Sequence, residues 1–160
     1  MRTIVLVACV ATKANIPSPA EELYQSALFR KAMAYAKSLK PDDIFILSAK
    51  HYLLPIRKVI APYNKTLTDF NADEKKEWSE KVIYMLKKHG YRLDQDKFIL
   101  LAGNAYRKYL EPEMKYSSAP LQHFRIGQQM AWLGKQVQKL KETLIKIKNI
   151  IYEAIKKINK

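Results

Sequence analysis

The chain has 160 residues, with 29 lysines and arginines against 15 acids and a formal net charge of +14. A hydrophobic share of 48% with 28% charged residues excludes a disordered chain, and the length suits one compact domain with room for an appendage. The charge favours polyanionic partners (nucleic acid, then an anionic membrane surface, then a phosphorylated small molecule) or simply marks a lysine-rich source. Cys9 is the single cysteine, so no internal disulfide forms and a reducing cytoplasm is the expected location. No run approaches the roughly 18 apolar residues of a membrane span.

Thr3 to Cys9 is a continuous β-branched run, which predicts a strand buried on both faces of a parallel sheet. A polar loop from Thr12 to Pro19 leads to a helix from about Ala20, with Leu23, Tyr24, Ala27, Leu28, Ala32, Tyr35 and Ala36 at helical spacing. After Pro41 a second strand runs from Ile44 to Ala49 and stops abruptly at Ser48, Lys50 and His51. Tyr52 to Phe70 reads as an irregular segment stiffened by Pro55 and Pro62. Asn71 and Glu74 form a capping-box start for a helix to about His89, with Trp78, Val82, Met85 and Leu86 on one face and Gly90 as its stop.

Lys97 to Ala102 is a third buried strand, turned by Gly103 into a helix over Asn104 to Leu110. Lys115 to Ala119 is a weaker fourth strand, and a last helix begins near Ile126 and Gly127. This alternation predicts a three-layer, Rossmann-like α/β domain over residues 1–133, with a mainly parallel sheet of about four strands. The strands near residues 3–9, 44–49 and 97–102 are expected to be parallel neighbours.

Residues 134–160 differ. Leu133, Val137, Leu140, Leu144, Ile147, Ile151, Ala154 and Ile158 alternate by four and three, a heptad seam. Eight lysines and two glutamates flank it. A single long helix from about Ile126 to about Ile158 is expected. It could dock on its own domain, form a homodimer, or lie on a membrane surface.

In an open α/β sheet the crevice lies past the carboxyl ends of the strands. The residues there are Cys9 and Lys13; Ser48, Lys50 and His51; Gly103, Asn104, Tyr106 and Arg107; and His123, Arg125, Gly127 and Gln128. Tyr63 and Asp69 in the stiff segment can fold over them. Gly103 and the helix starts at Asn104 and Gln128 suit an anion, with Lys50 and Arg107 supplying charge. Each has a plain alternative: Gly103 as a tight turn, Lys50 and His51 as surface residues, Cys9 as a small buried hydrophobe, Tyr63 as a packing anchor. The only glycines, Gly90, Gly103, Gly127 and Gly134, make neither a dinucleotide fingerprint nor a Walker loop. One cysteine and three scattered histidines fit no zinc spacing, and no carboxylate cluster marks a two-metal site. Neither metal nor cofactor is therefore expected.

Several motifs then fall together: Val7-Ala-Cys9 with Lys13, Glu22 to Phe29, Leu47-Ser-Ala-Lys-His-Tyr-Leu-Leu54, Ile60-Ala-Pro-Tyr63, Leu101-Ala-Gly103 with Tyr106, and Pro120-Leu121 before Ile126 to Leu133. In these the chain resembles the uncharacterised bacterial and phage family numbered 6884 among domains of unknown function. Val10 stands where that pattern has serine, and Tyr52 where it has glycine. A more distant similarity is to the peroxide-stress protein YaaA, linked to DNA binding. The resemblance implies nucleic-acid or nucleoside chemistry.

The resulting expectation is a nucleic-acid-associated domain, with a nucleobase or its N-glycosidic bond as the point of action. Lys50, Arg107 and Arg125 would hold phosphates, Tyr63 would stack on a base and Asn104 would read its edge. Asp69 or His51 would act as base or cation stabiliser. Alternatives are a non-catalytic nucleotide sensor and a helix-mediated oligomerisation protein. Lys50, Tyr63, Asn104 and Gln128 are expected around one concavity.

Overall fold

The computed structural model describes residues 1–158. In chain order the elements begin with β1 (Thr3–Ala8), β2 (Ser18–Pro19), α1 (Ala20–Leu23), α2 (Ala27–Ser38), β3 (Asp43–Ser48), β4 (Tyr52–Pro55) and β5 (Val59–Ile60). A 3-10 turn at Leu67–Asp69 leads to α3 (Ala72–Lys88), β6 (Lys97–Leu101), α4 (Asn104–Arg107), a 3-10 turn at Glu111–Glu113, β7 (Tyr116–Ser118) and α5 (Ile126–Ile158).

The main sheet has the order β4-β3-β1-β6-β7. β1 lies at its centre, parallel to β3 (Ile4 opposite Asp43) and to β6 (Thr3 opposite Lys97). β7 extends it in parallel, and β4 closes the other edge antiparallel to β3. Alternate residues of β1 serve two cores. Ile4 and Leu6 pack with Phe45, Trp78, Val82, Leu86 and Leu100 beneath α3. Val5 and Val7 pack with Phe29, Ala32, Ile46, Leu101 and Leu133 beneath α2 and α5. A strand covered on both faces has to be apolar throughout, which is why these runs do not alternate. This is the three-layer α/β fold the element order predicts.

Three local expectations are corrected. The helix from Ala20 is two helices. The loop before it returns to pair with the chain between them: Ala14 N–H donates to Leu23 O at 2.8 Å and Gln25 N–H to Thr12 O at 3.0 Å. Tyr24 is therefore extended (φ −85, ψ 119), and α2 restarts with Ser26 Oγ accepting the Phe29 amide. Secondly, the segment after Tyr52 is irregular only in part, over residues 61–66. Tyr52–Pro55 is a fifth strand, and its proline is tolerated because β4 is an edge. Thirdly, α4 ends at Arg107, and Pro112 stands in the 3-10 turn that follows. The C-terminal helix, whose packing the sequence leaves open, docks only in part.

α5 is one helix, as its seam predicts. Leu133 is fully buried and Trp132 meets the Tyr35 ring edge-on at 5.2 Å. From Lys141 onward every described residue of α5 is exposed. The reason is length: the 12 residues of α2 cover about 18 Å, whereas the 33 of α5 extend about 50 Å. Among the described residues no helix is long and apolar enough to cross a membrane.

Candidate functional site at the carboxyl edge of the sheet

β3 ends at Ser48, which is completely buried and makes four contacts at once. Its carbonyl accepts the Trp78 Nε1–H at 2.9 Å, tying α3 to the strand end. Its Oγ accepts the amides of Lys50 at 3.2 Å and His51 at 2.9 Å, which bends the chain into the β3–β4 turn. The same Oγ lies 2.7 Å from the Tyr63 hydroxyl, which lies 2.6 Å from the Tyr24 hydroxyl. Burial pushes the Tyr24 phenol up to about 12 and raises Tyr63 further above its ordinary value. All three hydroxyls therefore remain neutral donors and acceptors at physiological pH.

Two lysines crown this chain of hydroxyls. Lys13 Nζ stands 4.4 Å from the Tyr63 ring centre and 5.6 Å from that of Tyr24, while Lys50 Nζ stands 5.6 Å from Tyr63. Partial burial lowers the Lys13 pKa, which makes its cation more costly to leave without a counter-ion. His51 meets Tyr63 edge-on at 5.3 Å, and burial followed by the charges of Lys50 and Lys58 holds its pKa down. It is thus mainly neutral at pH 7. Its Nε2 is buried with no hydrogen-bond partner.

Beside this cluster, over the ends of β1 and β6, lies a crevice of about 330 Å3. Its floor is Val7–Val10 and Leu101–Gly103, and its walls include Phe29, Tyr106 and Leu121. Polar groups enter only from Thr68, Asn104 and Gln129, together with the Cys9 thiol, which lies 3.2 Å from the Tyr106 hydroxyl. Burial is the main cause of a raised Tyr106 pKa, so this group too stays protonated. Among the described residues no Asp or Glu lines the crevice.

The edge therefore gathers Cys9, Gly103, Asn104 and Tyr106 in the crevice, with Lys13, Ser48, Lys50, His51 and Tyr63 in the adjoining cluster. Gly103 has an ordinary φ of −71 and open space where a Cβ would stand, so neither strain nor packing demands glycine there. Six expected residues lie elsewhere, among them His123, which is exposed ahead of α5. Arg107 is turned inward: its Nε–H donates to Ala102 O at 3.0 Å and its Nη1 pairs with Glu111 at 2.7 Å. It staples β6 to α4 and is not free to hold a phosphate. Arg125, Gly127 and Gln128 are exposed at the start of α5. There Gln128 Oε1 accepts the Arg125 amide at 2.9 Å, and Gln129, one residue on, faces the crevice. Asp69 is exposed, and only its neighbour Thr68 reaches the crevice wall. Among the described residues no group of three or more His, Cys, Asp or Glu side chains is placed to hold a metal ion.

The sequence does not single out Tyr24 as a site residue. Its apolar-periodic position resembles core, and only the polar residues around it (Glu22, Gln25, Ser26) hint that the helix breaks there.

Fold and site together define a three-layer α/β domain whose sheet has a hydroxyl- and lysine-rich carboxyl edge. The chain belongs to a family of unknown function, DUF6884, whose pattern it matches over residues 4–135. No curated protein and no solved structure matches it.

Proposed function

We propose that this is a nucleic-acid-associated domain that holds one nucleotide unit at the carboxyl edge of its sheet. The base enters the crevice, and the phosphate lies toward Lys13 and Lys50. The observation that carries the reading is the juxtaposition of an apolar, base-sized crevice with two lysines stacked on Tyr63. A formal charge of +8 over residues 1–133 supports it by drawing polyanions to the domain. Asn104 and Gln129 each offer an amide that can pair with a base edge. Bond breaking is not part of this reading: Lys50 and His51 border the cluster, but no carboxylate lines the crevice to serve as a base or steady a sugar cation.

The test is fluorescence anisotropy with labelled single-stranded DNA, single-stranded RNA and a mononucleotide. Oligonucleotide binding should fall linearly on a log–log salt plot, and Lys13→Gln with Lys50→Gln should reduce the slope by about 0.7, the share of the one phosphate they hold. Binding of the free nucleotide alone would favour a nucleotide sensor. No binding at low salt would overturn both readings.

A specific observation favours a second reading for the extension. We infer that a second copy of the chain covers the free part of α5, where Leu144, Ile147 and Ile151 stand 47%, 46% and 52% exposed. The same seam faces the protein's own domain at Leu133. Two copies can therefore pair beyond Leu140 without their domains colliding only if the helices run antiparallel.

A further inference from the structure

Tyr52 occupies a conformation that its side chain disfavours. It opens β4 at φ +60, in the left-handed region, where glycine is at ease and a bulky residue is strained. The inner side of its ring packs against the core beneath α3, but the rest stands free. The residue is only half-buried, and its hydroxyl meets just the Lys81 ammonium, at 3.5 Å.

The ring instead forms one wall of a groove of about 180 Å3 between β4 and α3, with Phe70 and Trp78 as further aromatic walls. Each outer ring carries a lysine, Lys81 at 5.3 Å over Tyr52 and Lys65 at 5.0 Å over Phe70. The two acids here are already engaged. Glu77 pairs with Lys81 at 2.8 Å, and Glu74 accepts the Asn71 amide at 2.8 Å. The groove is thus an aromatic slot with little net repulsion toward an anion.

It also adjoins the carboxyl edge. Tyr52 is the ladder partner of Ser48, the Trp78 indole donates to the Ser48 carbonyl, and the Trp78 ring meets Tyr106 of the crevice edge-on at 5.6 Å. Thr68 lines the crevice and Phe70 the groove, and the Lys50–His51 turn immediately precedes Tyr52.

We propose that this groove is a second base-stacking subsite for the same single strand. The neighbouring base stacks on Tyr52 and Phe70 while the backbone crosses the turn beside Lys50. Stacking of this kind tolerates any base, because every base has a π-face. The inference rests on the nucleic-acid reading above and deepens it from one nucleotide to at least two.

Tyr52→Gly separates the roles, because glycine relieves the backbone while removing the ring. Wild type, Tyr52→Gly and Tyr52→Phe are compared for thermal midpoint, for affinity toward a labelled single-stranded hexanucleotide, and for affinity toward a mononucleotide. Tyr52→Gly should melt at or above wild type, lose roughly tenfold or more in hexanucleotide affinity, and keep its mononucleotide affinity. Tyr52→Phe should bind as wild type does. If wild type binds the hexanucleotide and Tyr52→Gly binds it equally well, the subsite is wrong and the nucleic-acid reading stands. Equal loss of mononucleotide and hexanucleotide would also overturn it, placing Tyr52 in the first site. A lower midpoint for Tyr52→Gly would mean the ring serves the fold. A wild type that binds no oligonucleotide removes the parent reading and this one together.

Discussion

Tyr63 joins the buried part of the site to its exposed part, so deleting its hydroxyl is an informative perturbation. In Tyr63→Phe the ring keeps its edge contact with Tyr24, at 6.4 Å between centres, but both hydroxyl contacts vanish. Tyr24 is 1% exposed, and its hydroxyl has no other hydrogen-bond partner among the described residues. Ser48 is less affected, since its Oγ still accepts two amides. An orphaned buried hydroxyl costs about 1–3 kcal/mol, so one full and one partial loss amount to about 2 kcal/mol. For a domain of this size that is a fall of about 4–8 °C in melting temperature. Tyr24→Phe should cost less, about 1 kcal/mol, because the Tyr63 hydroxyl keeps Ser48 Oγ as its partner. The double variant removes both members of the pair and should be less destabilised than the sum of the two by about 1 kcal/mol. Urea unfolding followed by circular dichroism, with unchanged slopes, measures all four corners of the cycle. Strict additivity, or a Tyr63→Phe protein as stable as wild type, would refute the hydroxyl chain.

Three further outcomes follow from the same structure. Burial alone would raise the Asp96 pKa, but the backbone amides of Arg92 and Arg2 and the Arg2 guanidinium hold it at about 2. Its stabilisation is therefore complete above the unfolded value near 4 and lost as pH falls from there through about 2; Asp96→Asn should flatten that acid limb of a stability–pH profile by about 1–2 kcal/mol, allowing for the 40% exposed Arg2 side chain. Arg107→Ala should lower stability by about 2 kcal/mol in denaturant unfolding by leaving Ala102 O and Glu111 unpaired, yet leave the salt slope of oligonucleotide binding unchanged, and a reduced slope would return Arg107 to the phosphate contacts. A chain ending at Lys141 should sediment as a monomer with an unchanged melting temperature at low concentration while the full chain self-associates, and two monomers would remove the second copy from α5.

Much of the fold is legible because its strands are doubly covered. Thr3–Cys9, Ile44–Ala49 and Lys97–Ala102 have to be apolar throughout, and such runs stand out from amphipathic helices. β4 does not stand out: four residues ending in Pro55 give neither length nor period, and only pairing with β3 makes them a strand. The break at Tyr24 is invisible for the opposite reason. Leu23, Tyr24, Ala27 and Leu28 keep helical spacing across it, so the pattern is satisfied while the backbone is diverted by the returning loop at Thr12 and Ala14. The seam of α5 is equally plain in sequence, but how much of it is covered depends on the length of α2.

The site is legible in position more than in chemistry. Parallel strands send every carboxyl end to one edge, so strand ends alone bring Cys9, Ser48, Gly103, Asn104 and Tyr106 together. What each does there depends on which way a helix face points. Arg107 stands four residues before Glu111, a spacing that marks a local ion pair, and that pair prevails over a ligand role because the guanidinium is buried. Gln128 and Gln129 differ by one residue, or about 100° around α5: the first caps the helix start and the second faces the crevice. The groups left at the edge are neutral hydroxyls, a thiol, two amides and lysines, with a histidine held neutral. Such a set attracts an anion and fits an apolar ring, but supplies no carboxylate to move a proton. On the nucleic-acid reading proposed above, selection at this edge would rest on charge for encounter and on shape for discrimination.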